Sequence, residues 1–188
     1  MADPRTLRRS PLTDVDMPTS ERVRLRELPF LAMVGVRLDP DGEAAMVAAR
    51  AVGVPLPTSC GDVASTDVRH VLWLGPDEWL VISDEPPAAL LAALANPLVG
   101  HHAAVVDLSS NRTTLELTGP AARSVLEKGC PTDLHPRVFS PGCAIVTTIA
   151  RTPVLLWQIG PESYRILPRS SLAAYVSAWL ADAIVEFS

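Results

Sequence analysis

The chain has 188 residues, 48% of them hydrophobic, with 16 Lys and Arg against 21 Asp and Glu and a formal charge of −5. That length can bury a real core, roughly 70% of the unfolded surface, and the composition is too apolar and too weakly charged for disorder. No apolar run reaches the ~18 residues of a membrane-spanning helix, and a pI of about 5.3 argues against a general nucleic-acid binder, which presents a basic face.

Residues 1–20, MADPRTLRRSPLTDVDMPTS, have no apolar leader segment and are rich in Pro, Thr and Asp. They read as a flexible arm, not a secretory signal. The three cysteines, Cys60, Cys130 and Cys143, are an odd number, so free thiols in a reducing cytoplasm are expected. Of the basic residues only Lys128 is a lysine. Arginine keeps its charge and offers a planar donor fork suited to protein contacts.

The first ordered unit, residues 34–53, reads as a strand, then Pro40 at the first helical position, then a helix closed by Gly53. Residues 71–83, VLWLGPDEWLVIS, form a predicted β-hairpin around Gly75-Pro76, because Pro presets φ and Gly tolerates the turn. Residues 87–95, PAALLAALA, are nearly all apolar, so this helix is expected to be well buried or covered by another protein. A strand, AAVVDLS, follows His101 and His102. Residues 115–129 repeat the strand–Pro–helix–Gly pattern with Pro120 and Gly129, and residues 154–168 repeat the hairpin around Gly160-Pro161. The last helix is predicted to be capped by Ser170 or Ser171. Its apolar stripe is Leu172, Tyr175, Val176, Trp179, Leu180, Ala183 and Ile184. The repetition predicts an α+β fold of two duplicated β-α-β-β-α halves, 21–98 and 101–188, with mostly antiparallel sheets.

The search for chemistry returns little. No nucleophile elbow, phosphate loop or dinucleotide fingerprint is present. Cys130, His135 and Cys143 fit no common zinc spacing and have no fourth ligand. His135 lies in a Pro-rich stretch, GCPTDLHPRVFSPGC, and reads as a loop histidine fixed by hydrogen bonds; alternatively Asp133, His135 and Arg137 form a polar contact surface there. His101, His102, Asp107 and Ser109 could be sketched as a triad, but triads are defined by spatial geometry. The simpler reading has Asp107 and Ser109 satisfying backbone groups at a strand end, beside Ser110, Asn111 and Arg112. The tryptophans read as core. A base-stacking platform would need interleaved positive charge.

Five stretches carry a family resemblance: LRELPFLAM (25–33), VGVPLPT (52–58), VLWLGPDEWLVIS (71–83), VDLSSNRTTLELTGPAARSVLEKGCPTDLHPRVFSPG (106–142) and VLLWQIGPESYRILPRSSLAAYVSAWL (154–180). Together they resemble the gamma subunit of heterotetrameric sarcosine oxidase. The resemblance implies an assembly with alpha, beta and delta subunits that oxidatively demethylates sarcosine to glycine. It also implies that FAD, FMN, NAD and tetrahydrofolate belong to the partner subunits, with no cofactor or metal on this chain. The stretch VDLSSNRTTLELTGPAARSVLEKGCPTDL is similar, more distantly, to glycine-cleavage aminomethyltransferase, which implies that folate-binding fold.

The carry-over from that enzyme fails at two points. Ser110 stands where that family has His after D-x-S, and Arg151, Thr152 and Pro153 replace its acidic pair. An Arg opposes the positive charge a carboxylate would steady. The expected function is therefore a non-catalytic structural subunit, whose candidate interface residues are Trp79, Arg112, Asp133, His135 and Arg137. The rival readings are a standalone folate-binding protein using the groove between the halves, and an adaptor for a different oxidoreductase.

Overall fold

Strands that are apolar at nearly every position need cover on both faces, and that requirement shapes the molecule. The structure, a computed structural model, describes residues 8–187. Among them, in chain order, are β1 (Arg24–Leu28), β2 (Ala32–Leu38), α1 (Glu43–Val52), β3 (Gly61–Ser65), β4 (Arg69–Gly75), β5 (Glu78–Ser83) and α2 (Pro87–Ala95). Then follow β6 (Ala103–Asp107), β7 (Thr114–Thr118), α3 (Ala122–Glu127), β8 (Cys143–Ile149), β9 (Thr152–Gly160), β10 (Ser163–Pro168) and α4 (Ala173–Ile184). No described helix is long and apolar enough to cross a membrane.

The strands form one antiparallel sheet in the order β1-β7-β10-β9-β8-β3-β4-β5-β2-β6. It curls into two five-stranded halves joined at β3–β8 by only the pairs Gly61↔Ala144 and Asp62↔Cys143. The period-2 geometry of each strand sends alternate side chains to different cores. From β5, Trp79 and Val81 face the helical core of α1 and α2, whereas Leu80 and Ile82 face the space between the half-sheets. From β9, Val154 and Leu156 face α3 and α4, while Leu155 and Trp157 meet the side chains of β5 from the other half. The result is four layers, α/β/β/α.

The element order runs ββαβββα twice, in place of the expected β-α-β-β-α. Three strands, β1, β3 and β8, were not anticipated. The halves also do not divide cleanly at residues 98 and 101, because the edge strands are exchanged. β1 pairs with β7 of the second half, and β6 pairs with β2 of the first.

Several local expectations change as well. Pro40 and Pro120 lie in turns ahead of their helices: α1 starts after Gly42 and α3 after Ala121. Gly53 does close α1, in the left-handed conformation. Ser170 and Ser171 belong to a 3₁₀ turn ahead of α4, whose N-cap is Leu172, and the Ser170 hydroxyl donates to the Ser110 carbonyl at 2.8 Å. The buried stripe of α4 is rotated from the expected one, with Leu172 and Tyr175 exposed and Ala173 and Ser177 buried. The expected arm over 1–20 falls partly on residues 1–7, outside the described residues. From Arg8 on, the segment packs: Leu12 is buried, and Val15 and Met17 rest on the core of the second half.

Candidate functional site

Exchanging the edge strands forces two connections, β1–β2 and β6–β7, to cross between the halves side by side. They are stitched together. The Leu108 amide donates to the Met33 carbonyl at 2.8 Å, and the Ser109 hydroxyl accepts the Met33 amide at 3.0 Å. Ser109 also donates to the Asp107 carboxylate at 2.6 Å. Asp107 and Ser109 thus satisfy the end of a strand, the plainer of the two sequence readings. His101 and His102 lie at the opposite end of β6, so the sketched triad is not assembled.

At this crossing a cavity of about 400 Å³ is lined by Arg8, Arg9, Phe30, Ser110, Arg112 and Ser170, among others. Arg112 donates to the Leu167 carbonyl at 2.9 Å. Burial lowers its pKa, and Arg169 adds to the shift. The Arg8 guanidinium sits 4.7 Å from the centroid of the Phe30 ring. Phe30 has φ 66°, a conformation costly for a bulky residue, and it is 43% exposed. The nearby Glu27 carboxylate accepts the hydroxyls of Ser10 and Thr113.

The other candidate residues are scattered. Asp133, His135 and Arg137 do share one exposed loop between α3 and β8. The Asp133 carboxylate accepts the His135 amide at 2.9 Å, and His135 Nδ1 accepts the Arg137 amide at 3.3 Å. Leu134 and Phe139 pin this loop into the core. Beneath it Cys130 is buried, 3.8 Å from the Thr147 hydroxyl. Among the described residues no group of His, Cys, Asp or Glu could hold a metal ion. Trp79 is not a surface anchor: it is 1% exposed and its indole N–H donates to the Pro57 carbonyl at 2.8 Å. Both faces of β5 are covered, and its alternation places Trp79 in the core under α1 and α2.

The apolar helix α2 buries only Leu90 and Leu94. Ala88, Ala89 and Ala92 face outward, and Val99 and Val106, the latter on the edge strand β6, are exposed as well. β1, the opposite edge, carries the exposed Arg24 and Arg26 instead, the usual guard against unwanted strand pairing.

The groove between the halves is filled by Met33, Leu72, Leu80, Ile82, Leu155, Trp157 and Leu167. A pocket of about 260 Å³ borders it, with His70 and Arg165 at its walls. The rings of His70 and Trp157 stand 4.9 Å apart, and burial, then Arg165, lowers the His70 pKa. The β8–β9 turn puts Arg151 outward, at φ 66°. Neither place presents the carboxylate pair that folate chemistry would use.

Sequence reasoning singled out Arg112 but missed Arg8, Arg9 and Phe30. Their proximity follows from strand exchange, which leaves no local signal.

Comparison with known proteins gives a consistent result. The model of the "Sarcosine oxidase, gamma subunit family" matches residues 35–186. Sarcosine oxidase subunit gamma of Corynebacterium sp. (strain U-96) is 45% identical over 197 residues, covering 100% of this chain and 95% of that one. A chain in the structure of heterotetrameric sarcosine oxidase from Corynebacterium sp. U-96, in complex with pyrrole 2-carboxylate, matches with TM-score 0.92 over 97% of both chains. Glycine cleavage system aminomethyltransferase T from Bartonella henselae matches with TM-score 0.64 at 15% identity, over 85% of this chain and 45% of that one. That last likeness is one of fold alone.

Proposed function

The chain belongs to the sarcosine oxidase gamma subunit family, and on that premise we propose that it is a non-catalytic structural subunit of a flavin-dependent heterotetrameric sarcosine oxidase. In this reading the assembly oxidatively demethylates sarcosine to glycine in the cytoplasm. The alpha, beta and delta subunits are its partners and carry FAD, FMN, NAD and tetrahydrofolate.

The observation that carries the reading is the match, over 97% of both chains, to a chain of a heterotetrameric sarcosine oxidase. Two features of the surface support it. The outward face of α2 is apolar, and β6 presents an unguarded sheet edge. Both are costly to leave in water and suit contact with another protein. The folate-fold resemblance is then a scaffold relationship, since Arg151 occupies the turn where that chemistry would need carboxylates.

The test is native mass spectrometry of the tagged chain purified from its own organism grown on sarcosine, with a flavin spectrum of the same sample. A heavy, yellow complex that oxidises sarcosine is the expected result. A colourless 20 kDa species from cells that oxidise sarcosine through a complex lacking this chain would overturn it.

A further inference from the structure

We propose that the cationic cavity at the strand crossing receives a carboxylate side chain from a partner subunit, so that Arg112, Arg8 and Arg9 form a docking pocket for an acidic residue. The proposal rests on the subunit reading above and deepens it.

Charge carries the inference. The ion pairs among the described residues use Arg26, Arg37, Arg69, Lys128 and Arg165. Among those same residues, Arg8, Arg9, Arg112 and Arg169 have none. Two carboxylates bond to residues of the lining, Glu27 to the hydroxyls of Ser10 and Thr113 and Asp107 to the amide and hydroxyl of Ser109, and among the described residues neither forms an ion pair with an arginine of the cavity. Arg112 is half-buried, and among the described residues its guanidinium makes one hydrogen bond, to a backbone carbonyl. A guanidinium with five donors, partly desolvated and beside a second arginine, lacks the anion that ordinarily accompanies such burial.

The surroundings suit a carboxylate on a protein side chain. The cavity of about 400 Å³ opens to the surface between the N-terminal segment and the crossing loops. Arg8 and Arg9 stand exposed at its rim, and Ser110 and Ser170 are among the residues that line it. An arginine fork binds a carboxylate through two parallel hydrogen bonds. Phe30, held at φ 66° under the Arg8 guanidinium, gives the rim an apolar patch for the stem of an Asp or Glu. Backbone strain kept at an exposed rim is typical of a binding site.

The experiment uses the complete complex, produced with its partner subunits, and measures the affinity of this chain for the remainder at two salt concentrations. Wild type is compared with Arg112→Gln, with the double variant Arg8→Gln/Arg9→Gln, and with Arg50→Gln on the exposed face of α1 as control. The expected result is a loss of tenfold or more for the first two, as for a buried interfacial charge pair, a shallower salt dependence, and no change for the control. Arg8 and Arg9 are exposed, so their double variant remains informative if Arg112→Gln folds poorly.

Failure of the wild-type chain to join any complex would sink the subunit reading itself. Wild-type assembly with unaltered affinity in the cavity variants would overturn the pocket alone, as would an equal loss in the control. Propionate binding to the wild-type complex that vanishes in Arg112→Gln while assembly is unaffected would make the cavity a small-anion site, and would also overturn the proposal.

Discussion

Gly119 follows β7 at the point where the segment before β1 crosses it. Its φ is 118°, and an added Cβ would lie 2.5 Å from the Arg22 carbonyl oxygen and 3.0 Å from its carbon. These neighbours are backbone, and the Arg22 carbonyl is held by the Ala121 amide at 3.1 Å, so neither side can yield cheaply. Gly142 provides the reference. It has φ 90°, but an added Cβ there would meet nothing within 4 Å. Gly142→Ala therefore incurs only the conformational penalty, about 1 kcal/mol once the stiffer unfolded chain is taken into account. Gly119→Ala incurs that penalty plus an overlap of about 1–3 kcal/mol, for a total of about 3 kcal/mol. At roughly 2–4 °C per kcal/mol for a chain of this size, the two variants should differ in Tm by about 4–8 °C. Denaturant unfolding of both purified variants gives the same difference in free energy. Limited proteolysis should also cut residues 8–23 faster in Gly119→Ala, because relief of the overlap lifts β1 from β7. Equal destabilisation of the two variants would refute the close approach as the reason for glycine at 119.

Further outcomes follow from the same geometry. An alanine at Gly129 would bring its Cβ to 2.5 Å from Trp179 Cη2, so Gly129→Ala should cost about 1–3 kcal/mol; a double-mutant cycle with Trp179→Leu should recover at least ~1 kcal/mol of it, and zero coupling in denaturant unfolding would reject the contact. Arg69 donates to both Glu85 oxygens, at 2.7 and 3.0 Å, and to the Ala51 carbonyl at 2.6 Å, tying β4 to α1 and to the approach to α2. The hydrogen bond from Arg69 is the largest of the causes holding the Glu85 carboxyl below its ordinary range. A depressed carboxylate stabilises the fold fully above its unfolded pKa and loses that contribution as pH falls through the folded one. Glu85→Gln should therefore cost about 1 kcal/mol at neutral pH and show a flatter acid limb in a pH series of melting temperatures; an unchanged acid limb would count against the pair. On α2, Ala92→Glu should leave the melting temperature within about 2 °C of wild type yet weaken assembly with the partner subunits, read by native mass spectrometry; undiminished assembly would remove that face from the interface.

What could be read in the chain follows its periodicities. The hairpins at 71–83 and 154–168 carry Gly-Pro turns between alternating strands, and both are present with β4–β5 and β9–β10. α1 ends at Gly53 as its punctuation indicates. The strands that escaped notice lack such marks. β1 is RLREL, with arginine or glutamate at three of five positions, and β3 is GDVAS; each is a strand because a neighbour offers hydrogen bonds, not because its own residues favour extension. β8, CAIVTTI, has the composition of a strand but follows a Pro-rich loop that hides its start. Trp79 illustrates another limit. An aromatic residue in an apolar strand serves a core or an interface equally well; it is the cover of α1 and α2 over the face that Trp79 shares with its cross-strand partner Val36 that buries it. The stripe on α4 was misplaced by part of a turn because Ala173 and Ser177 are small enough to lie flat against the sheet, leaving Tyr175 to reach across and donate to the Ala150 carbonyl at 3.1 Å.

The exchange of β1 and β6 explains why the surface cavity was the least legible feature. Two residue pairs at the β3–β8 seam are a slight connection between five-stranded halves. The exchange adds a second, because each half must accept an edge strand from the other to complete its sheet. The apolar space between the half-sheets adds a third. None of these is a property of neighbouring residues, yet together they bring Arg8, Phe30 and Arg112, far apart in the chain, to one opening. A carboxylate bound there would engage the β1–β2 connection through the Arg8–Phe30 pair and the β6–β7 connection through Arg112. It would thus clamp both crossings at once. Docking at this opening should therefore raise the stability of the whole chain, and do so most in variants such as Gly119→Ala that loosen β1. A partner that rescued Gly142→Ala equally well would show that the coupling does not run through the crossing.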